Sequence, residues 1–209
     1  MSPATSQIDS ARLAVTTALL EGDAGSAFHM VRGLLDEGVP FDVALFDIVA
    51  AAHADFGTRW QKGDYRIADE HAATGAVETL VAMLAGSFDL PEEGRDIVIA
   101  AAQGDHHSLP ARITSAYLLW LGHRVRYLGS NMEAADLAGY LTEDTPTTLI
   151  LSCAVPTLLP GARASIRAAH QAGVPVLTGG RGFGPEGVWA YALGADAWVG
   201  SPREIDDVL

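Results

Sequence analysis

Between residues 97 and 110 the chain reads Ile97-Val98-Ile99-Ala100-Ala101-Ala102-Gln103-Gly104-Asp105-His106-His107-Ser108-Leu109-Pro110. A short apolar run of this kind fits a strand buried on both faces, as in a parallel sheet covered by helices. The run stops at a glycine and delivers an acid and two histidines, and a new helical pattern starts at about Ser108. In an open parallel sheet, ligands bind where strand C-termini meet the following loops. An imidazole placed there, with Asp105 two residues before His107, suits a metal ligand backed by a carboxylate. The same residues suit a plain helix start, in which Asp105 or Ser108 caps the helix and the histidines are solvated. Taken locally, the two readings weigh about evenly.

The pattern around this stretch extends the first reading. Apolar runs at 97–102, 125–128, 148–152, 174–177 and 197–199 alternate with helical stretches at 110–121, 134–141, 161–172 and 187–192, and a short helix starts at Pro202. Five strands alternating with helices predict a parallel sheet with both faces covered. The residues before it have a different period. Apolar positions at helical spacing predict four helices, over 8–21, 24–37, from Pro40 towards Trp60, and from Ile67 towards Phe88, with Gly22, Gly38 and Lys62-Gly63-Asp64 as stops. Short connections between them predict an antiparallel bundle. Asp89–Arg95, polar with Pro91 and Gly94, reads as the linker. The expected fold class is α/β: a four-helix bundle over 1–90, then a flavodoxin- or Rossmann-like five-stranded parallel sheet over 96–209.

Composition narrows the function. With 26 acids against 13 lysines and arginines, the formal charge is -13, which argues against direct nucleic-acid contact and against anionic membranes. No apolar run is long enough to span a bilayer, and Met1–Gln7 has neither a basic residue nor an apolar core, so no signal peptide is expected. One cysteine, Cys153, leaves no internal disulfide and suits a reducing, cytoplasmic setting.

Asp105-His106-His107 resembles the Asp-x-His signature of cobalamin-binding proteins, in which a loop histidine ligates cobalt. A Ser near the end of the third strand follows in that family, similar to Ser152 here, and a Gly-Gly pair after the fourth strand, similar to Gly179-Gly180. The preceding helical bundle also matches, and the resemblance covers residues 8–209. It implies a cobalamin cofactor with His107 as the cobalt ligand and Asp105 fixing its tautomer. Small residues at the strand ends, Gly104, Ser152, Gly179 and Gly180, would let the cofactor's tail approach the backbone closely; Ser108 would also contact the cofactor, and His106 would be solvated or touch that tail. Pro110 stands where the family often has Gly, a departure a first helical turn accepts.

Trp60, followed after nine residues by Glu70-His71, resembles the helical cap of CarH-type cobalamin photoreceptors. The resemblance implies that Trp60 and Glu70 surround an adenosyl group: the indole stacks on adenine and the carboxylate accepts from ribose hydroxyls. Gln61 departs from that group, which often has a histidine there as the upper ligand after photolysis; His71 and His53 are the substitutes within this chain. The resemblance therefore implies a light-sensing module, a binding protein rather than an enzyme, with adenosylcobalamin preferred and methylcobalamin as the alternative form. Output would lie in a partner, in homo-oligomerisation or in a domain outside this chain. The competing expectation is a corrinoid carrier passing methyl groups between methyltransferases, for which Asp105 and His107 are equally needed.

Overall fold

The structure is a computed structural model that describes residues 3–88 and 94–209. Residues 89–93 of the expected linker lie outside the described residues. The chain divides into two compact units, Met1–Asp89 and Leu90–Leu209.

The first unit is helical: α1 (Pro3–Leu20), α2 (Ala24–Asp36), α3 (Ala51–Lys62) and α4 (Ile67–Ala85). Local chemistry sets several of these ends. The Asp23 carboxylate accepts the Ser26 N–H at 2.8 Å and starts α2. Gly63, at φ +83, closes α3 in the left-handed conformation glycine adopts without penalty. The Asp69 carboxylate reaches back to the Arg66 N–H at 3.1 Å and starts α4. The third expected helix differs from an ordinary one, because Val43–Ala50 winds as a π-helix that leads straight into α3. Its buried positions Ala44, Leu45, Ile48 and Val49 recur four apart, a stripe that both windings present to a core, so hydrophobic period cannot distinguish them. Val15, Leu19, Val31, Phe56, Val77, Leu80 and Leu84 complete that core.

The second unit holds β1 (Asp96–Ala101), β2 (Arg124–Tyr127), β3 (Thr148–Ser152), β4 (Val176–Gly179) and β5 (Ala197–Val199). All pairings are parallel, in the order β2-β1-β3-β4-β5. Side chains alternate across the sheet. Ile97, Ile99 and Ile150 pack with α5 (Leu109–Trp120) and α9 (Ile205–Val208). Val98, Ala100, Leu149 and Leu151 pack with α6 (Ala134–Asp144), α7 (Leu159–Gln171) and α8 (Val188–Ala192). β4 begins two residues later than its apolar run, because Pro175 has no N–H to give to a neighbouring strand. The shift makes Gly179 the last residue of the strand and leaves Gly180 in the loop. No helix among the described residues is long and apolar enough to cross a membrane.

This strand order places a switch point at β1 and β3. The chain leaves β1 towards β2 on one side and returns to β3 on the other, so the loops after the two strands diverge and open a crevice.

Candidate cofactor site

The loop after β1 is held from several directions. The Asp105 N–H turns back to the Ala102 carbonyl at 2.8 Å. Asn131, after β2, accepts the Gly104 N–H on Oδ1 at 2.8 Å and gives its own N–H to the Asp105 carbonyl at 2.7 Å. Asn131 makes both bonds from a left-handed conformation, φ +51, which asparagine tolerates better than most residues. Gly104, at φ +86, makes the turn itself.

Within this frame Asp105 is completely buried. Its Oδ2 accepts the Ala154 N–H at 2.7 Å, which ties the β1 loop to the β3 loop at the switch point. Its Oδ1 accepts the His107 N–H at 3.0 Å and meets His107 Nδ1 at 2.7 Å. A carboxylate only accepts, so the imidazole proton sits on Nδ1 and the lone pair is on Nε2. The His107 side chain is 59 % exposed, which leaves Nε2 available to an incoming metal. Burial first, and then the negative charge of Asp105, push the Cys153 thiol up to about 11. Cys153 is therefore protonated near neutrality.

The other residues singled out in this unit divide. Ser152 ends β3, buried, in register with Gly179 of β4. An added Cβ on Gly179 would meet the Val199 carbonyl at 3.7 Å, an ordinary contact. Packing does not require glycine there, whereas a ligand lying against the strand end would. Gly180 is different, since at φ +107 a Cβ would run into the Cys153 carbonyl, so the fold itself requires that glycine. Ser108 stands at the N-cap of α5 but its side chain makes no capping bond. Its carbonyl accepts the Tyr127 hydroxyl at 3.1 Å. His106 is exposed, and Pro110 lies in the first turn of α5.

In the helical unit, Trp60 lies in the last turn of α3 with 42 % exposure. Glu70 lies in the first turn of α4, its side chain only 15 % exposed, and accepts the Thr74 hydroxyl at 2.9 Å. His53 Nε2 stands 4.0 Å and His71 Nε2 3.7 Å from the two Glu70 oxygens. Burial holds the His53 pKa below that of a free imidazole, with Glu70 and Glu78 pulling the other way.

Two groups escaped the sequence reading, Asn131 and the Ala154 amide. Gly129-Ser130-Asn131 carried a turn signal, since glycine and asparagine favour left-handed backbone. The Ala154 amide carried none, because any non-proline residue supplies the same N–H.

The donor set at this edge is one imidazole with a carboxylate behind it. It suits a metal that brings its other ligands with it, as cobalt does in a corrin, and Gly179 leaves backbone within reach of a large organic ligand.

Comparison with known proteins agrees. A family model described as the B12 binding domain matches residues 95–208. A second model of the same description matches residues 13–85. A corrinoid protein of Desulfitobacterium hafniense (strain Y51) is 25 % identical over 197 residues, 87 % of this chain and 88 % of that protein. The Methanosarcina barkeri monomethylamine corrinoid protein superposes with a TM-score of 0.73 at 16 % identity, over 93 % of this chain and 94 % of that one. A cobalamin-binding protein from D. hafniense DCB-2 does so with a TM-score of 0.51 at 20 % identity, over 93 % and 95 %. At these identities the two structures speak for the fold: a helical region followed by a Rossmann-like parallel sheet. With one B12-binding model over its sheet unit and another over its helical unit, the chain belongs to the B12-binding domain family.

Proposed function

We propose that this protein is a corrinoid carrier, which holds cobalamin at the β1/β3 crevice and passes methyl groups between methyltransferase partners. The observation that carries the cobalamin site, common to a carrier and a sensor, is the buried Asp105 carboxylate, which stitches the two loops of the switch point and fixes His107 as a single imidazole donor. The corrinoid protein to which this chain is similar along most of its length supports a carrier over a light sensor. When bound, the corrinoid supplies a cobalt centre that accepts and releases a methyl group.

The chain's own residues set the lower side of that centre. His107 would give its Nε2 lone pair to cobalt. Asp105 would hold the proton on Nδ1 and so keep the imidazole in the orientation and tautomer that a metal needs. Ser152, Gly179 and Gly180 would receive the tail at the strand ends, with Ser108 and His106 at the rim of the same loop.

The second reading, a photoreceptor that prefers adenosylcobalamin, is favoured by Trp60 and Glu70-His71. An exposed indole and a carboxylate flanked by two histidines suit a nucleoside better than a methyl group. The decisive experiment loads the chain with methylcobalamin and with adenosylcobalamin and records absorption in the dark and after green light. A carrier binds the methyl form at least as tightly, and its hydrodynamic size ignores light. A strong adenosyl preference with a light-driven size change would establish the sensor instead. In either case, His107→Ala is expected to lose the histidine-ligated spectrum; an unchanged spectrum would refute the lower-ligand assignment.

A further inference from the structure

One stretch of the sheet unit departs from the character of the chain, although Asp196 follows it directly and α6, packed beside α7, carries Asp136, Glu143 and Asp144. Over residues 154–195 the sequence holds three arginines, Arg163, Arg167 and Arg181, against one acid, Glu186, in a protein with twice as many acids as bases. Arg163 and Arg167 lie one turn apart on α7, both exposed, and neither guanidinium has an ion pair or hydrogen bond among the described residues. Arginines elsewhere are engaged, as Arg32 is with Asp36, Arg59 with Asp55, Arg66 with Asp69, and Arg126 with Asp96 and Asp144. Like charges four residues apart on a helix repel, so the pair is held at a small cost that a carboxylate from outside would relieve.

The arginines border a cleft of about 480 Å³ whose walls are otherwise apolar, with Leu159 and Ala164 on α7 and Leu193 at the end of α8. The same short helix α8 exposes Trp189 by half, one turn before Leu193 and so on the same side of the helix. Trp189 is not loose, because its indole lies against Gly184 so closely that a Cβ there would come within 2.8 Å of Cδ1. Arginine, tryptophan and tyrosine are the residues that most often carry binding energy at protein interfaces. An aromatic ordered beforehand gives up little entropy on binding.

We propose that the α7/α8 face is a docking site for an acidic, amphipathic segment of a partner protein, with its carboxylates on Arg163 and Arg167 and its apolar side chains in the cleft. The site does not depend on the cobalamin reading.

The test is fluorescence anisotropy of a labelled helical peptide repeating Glu-Leu-Leu-Glu, titrated with the full chain at low and at raised salt. The wild type should bind it, more weakly as salt rises. Arg163→Glu with Arg167→Glu should weaken binding by about ten-fold or more, and Trp189→Ala should weaken it by a smaller factor. Arg32→Glu, on the helical unit, serves as the charge control and should leave binding unchanged, and thermal unfolding of each variant confirms that it folds. Binding that survives the double reversal, or that Arg32→Glu weakens equally, overturns the proposal. So does a peptide that tripolyphosphate displaces at matched ionic strength and that Trp189→Ala binds as tightly as wild type, which would mark a plain anion site. A wild type that dimerises with rising concentration, and a double variant that does not, would overturn it in favour of an interface between copies of this chain.

Discussion

The two units hold their candidate residues in different ways. In the sheet unit, Asp105 has no freedom: it is wholly buried and accepts three hydrogen bonds, one of them from Ala154, 49 residues further along the chain. In the helical unit, Trp60 and His71 stand on helix surfaces, and Glu70 is approached by His53 and His71 only at 3.7–4.0 Å. A parallel sheet with a switch point creates a crevice by topology, whatever the side chains. A helical bundle creates none, and must make a site from spacing along its helices. The first kind of site is expensive to disturb and the second is easily retuned.

That contrast fails first, if it fails, at Asp105. Asp105→Ala takes the acceptor from the part-buried Ala154 N–H and releases His107, so the variant should lose about 1–3 kcal/mol of stability. Its cobalamin affinity should fall roughly 10–100-fold. Denaturant unfolding and spectral titration measure the two losses. A variant as stable as wild type would mean that the crevice is not stitched by this residue.

Asn131 is the next step down. Asn131→Gly keeps the left-handed backbone and removes only the bond to the Gly104 N–H, at an expected cost of about 0.5–1.5 kcal/mol. Asn131→Ala should cost more, because alanine disfavours φ +51. Reversal of that order would show that the backbone conformation is unimportant there.

The helical unit should respond to acid instead. The folded pKa of His53 lies below the ordinary imidazole value, chiefly through burial. Below about pH 6.5 the unfolded chain takes up a proton that the folded chain refuses, so this contribution is complete above that pH and is lost as pH falls towards the folded value. His53→Gln should flatten the slope of stability below about pH 6.5. An unchanged slope would move the acid sensitivity to other groups.

The smallest effect on stability belongs to Trp60. An exposed side chain at the end of α3 should change stability by less than about 0.5 kcal/mol when replaced by alanine. If Trp60 contacts the upper ligand, Trp60→Ala shifts the ratio of affinities for adenosyl- and methylcobalamin without moving the melting temperature. A large stability loss with an unchanged ratio would assign the indole to packing.

Much of the fold was legible because its signals are local. The change of period beyond Phe88, the five apolar runs and the stops at Gly22, Gly38 and Gly63 depend on short-range patterning, and the elements follow them to within a few residues. The π-helix at Val43–Ala50 was not legible, because its buried stripe matches that of an α-helix. The late start of β4 turned on Pro175, whose effect shows only when a neighbouring strand asks for its missing N–H.

At the candidate site the division follows the same line. The residue types at 105 and 107 and their place after an apolar run were written in the chain, and with them the chemistry of an imidazole backed by a carboxylate. That Asp105 is buried, that it binds the Ala154 amide, and that Asn131 holds the loop from β2 were decided by tertiary structure. Hydrogen bonds to main-chain N–H groups carry no side-chain signature, and which amide comes within reach depends on the order β2-β1-β3 in the sheet. Gly179 and Gly180 look alike as letters; only their neighbours, Val199 at an ordinary distance and the Cys153 carbonyl in direct conflict, separate a glycine open to a ligand from one the backbone cannot do without.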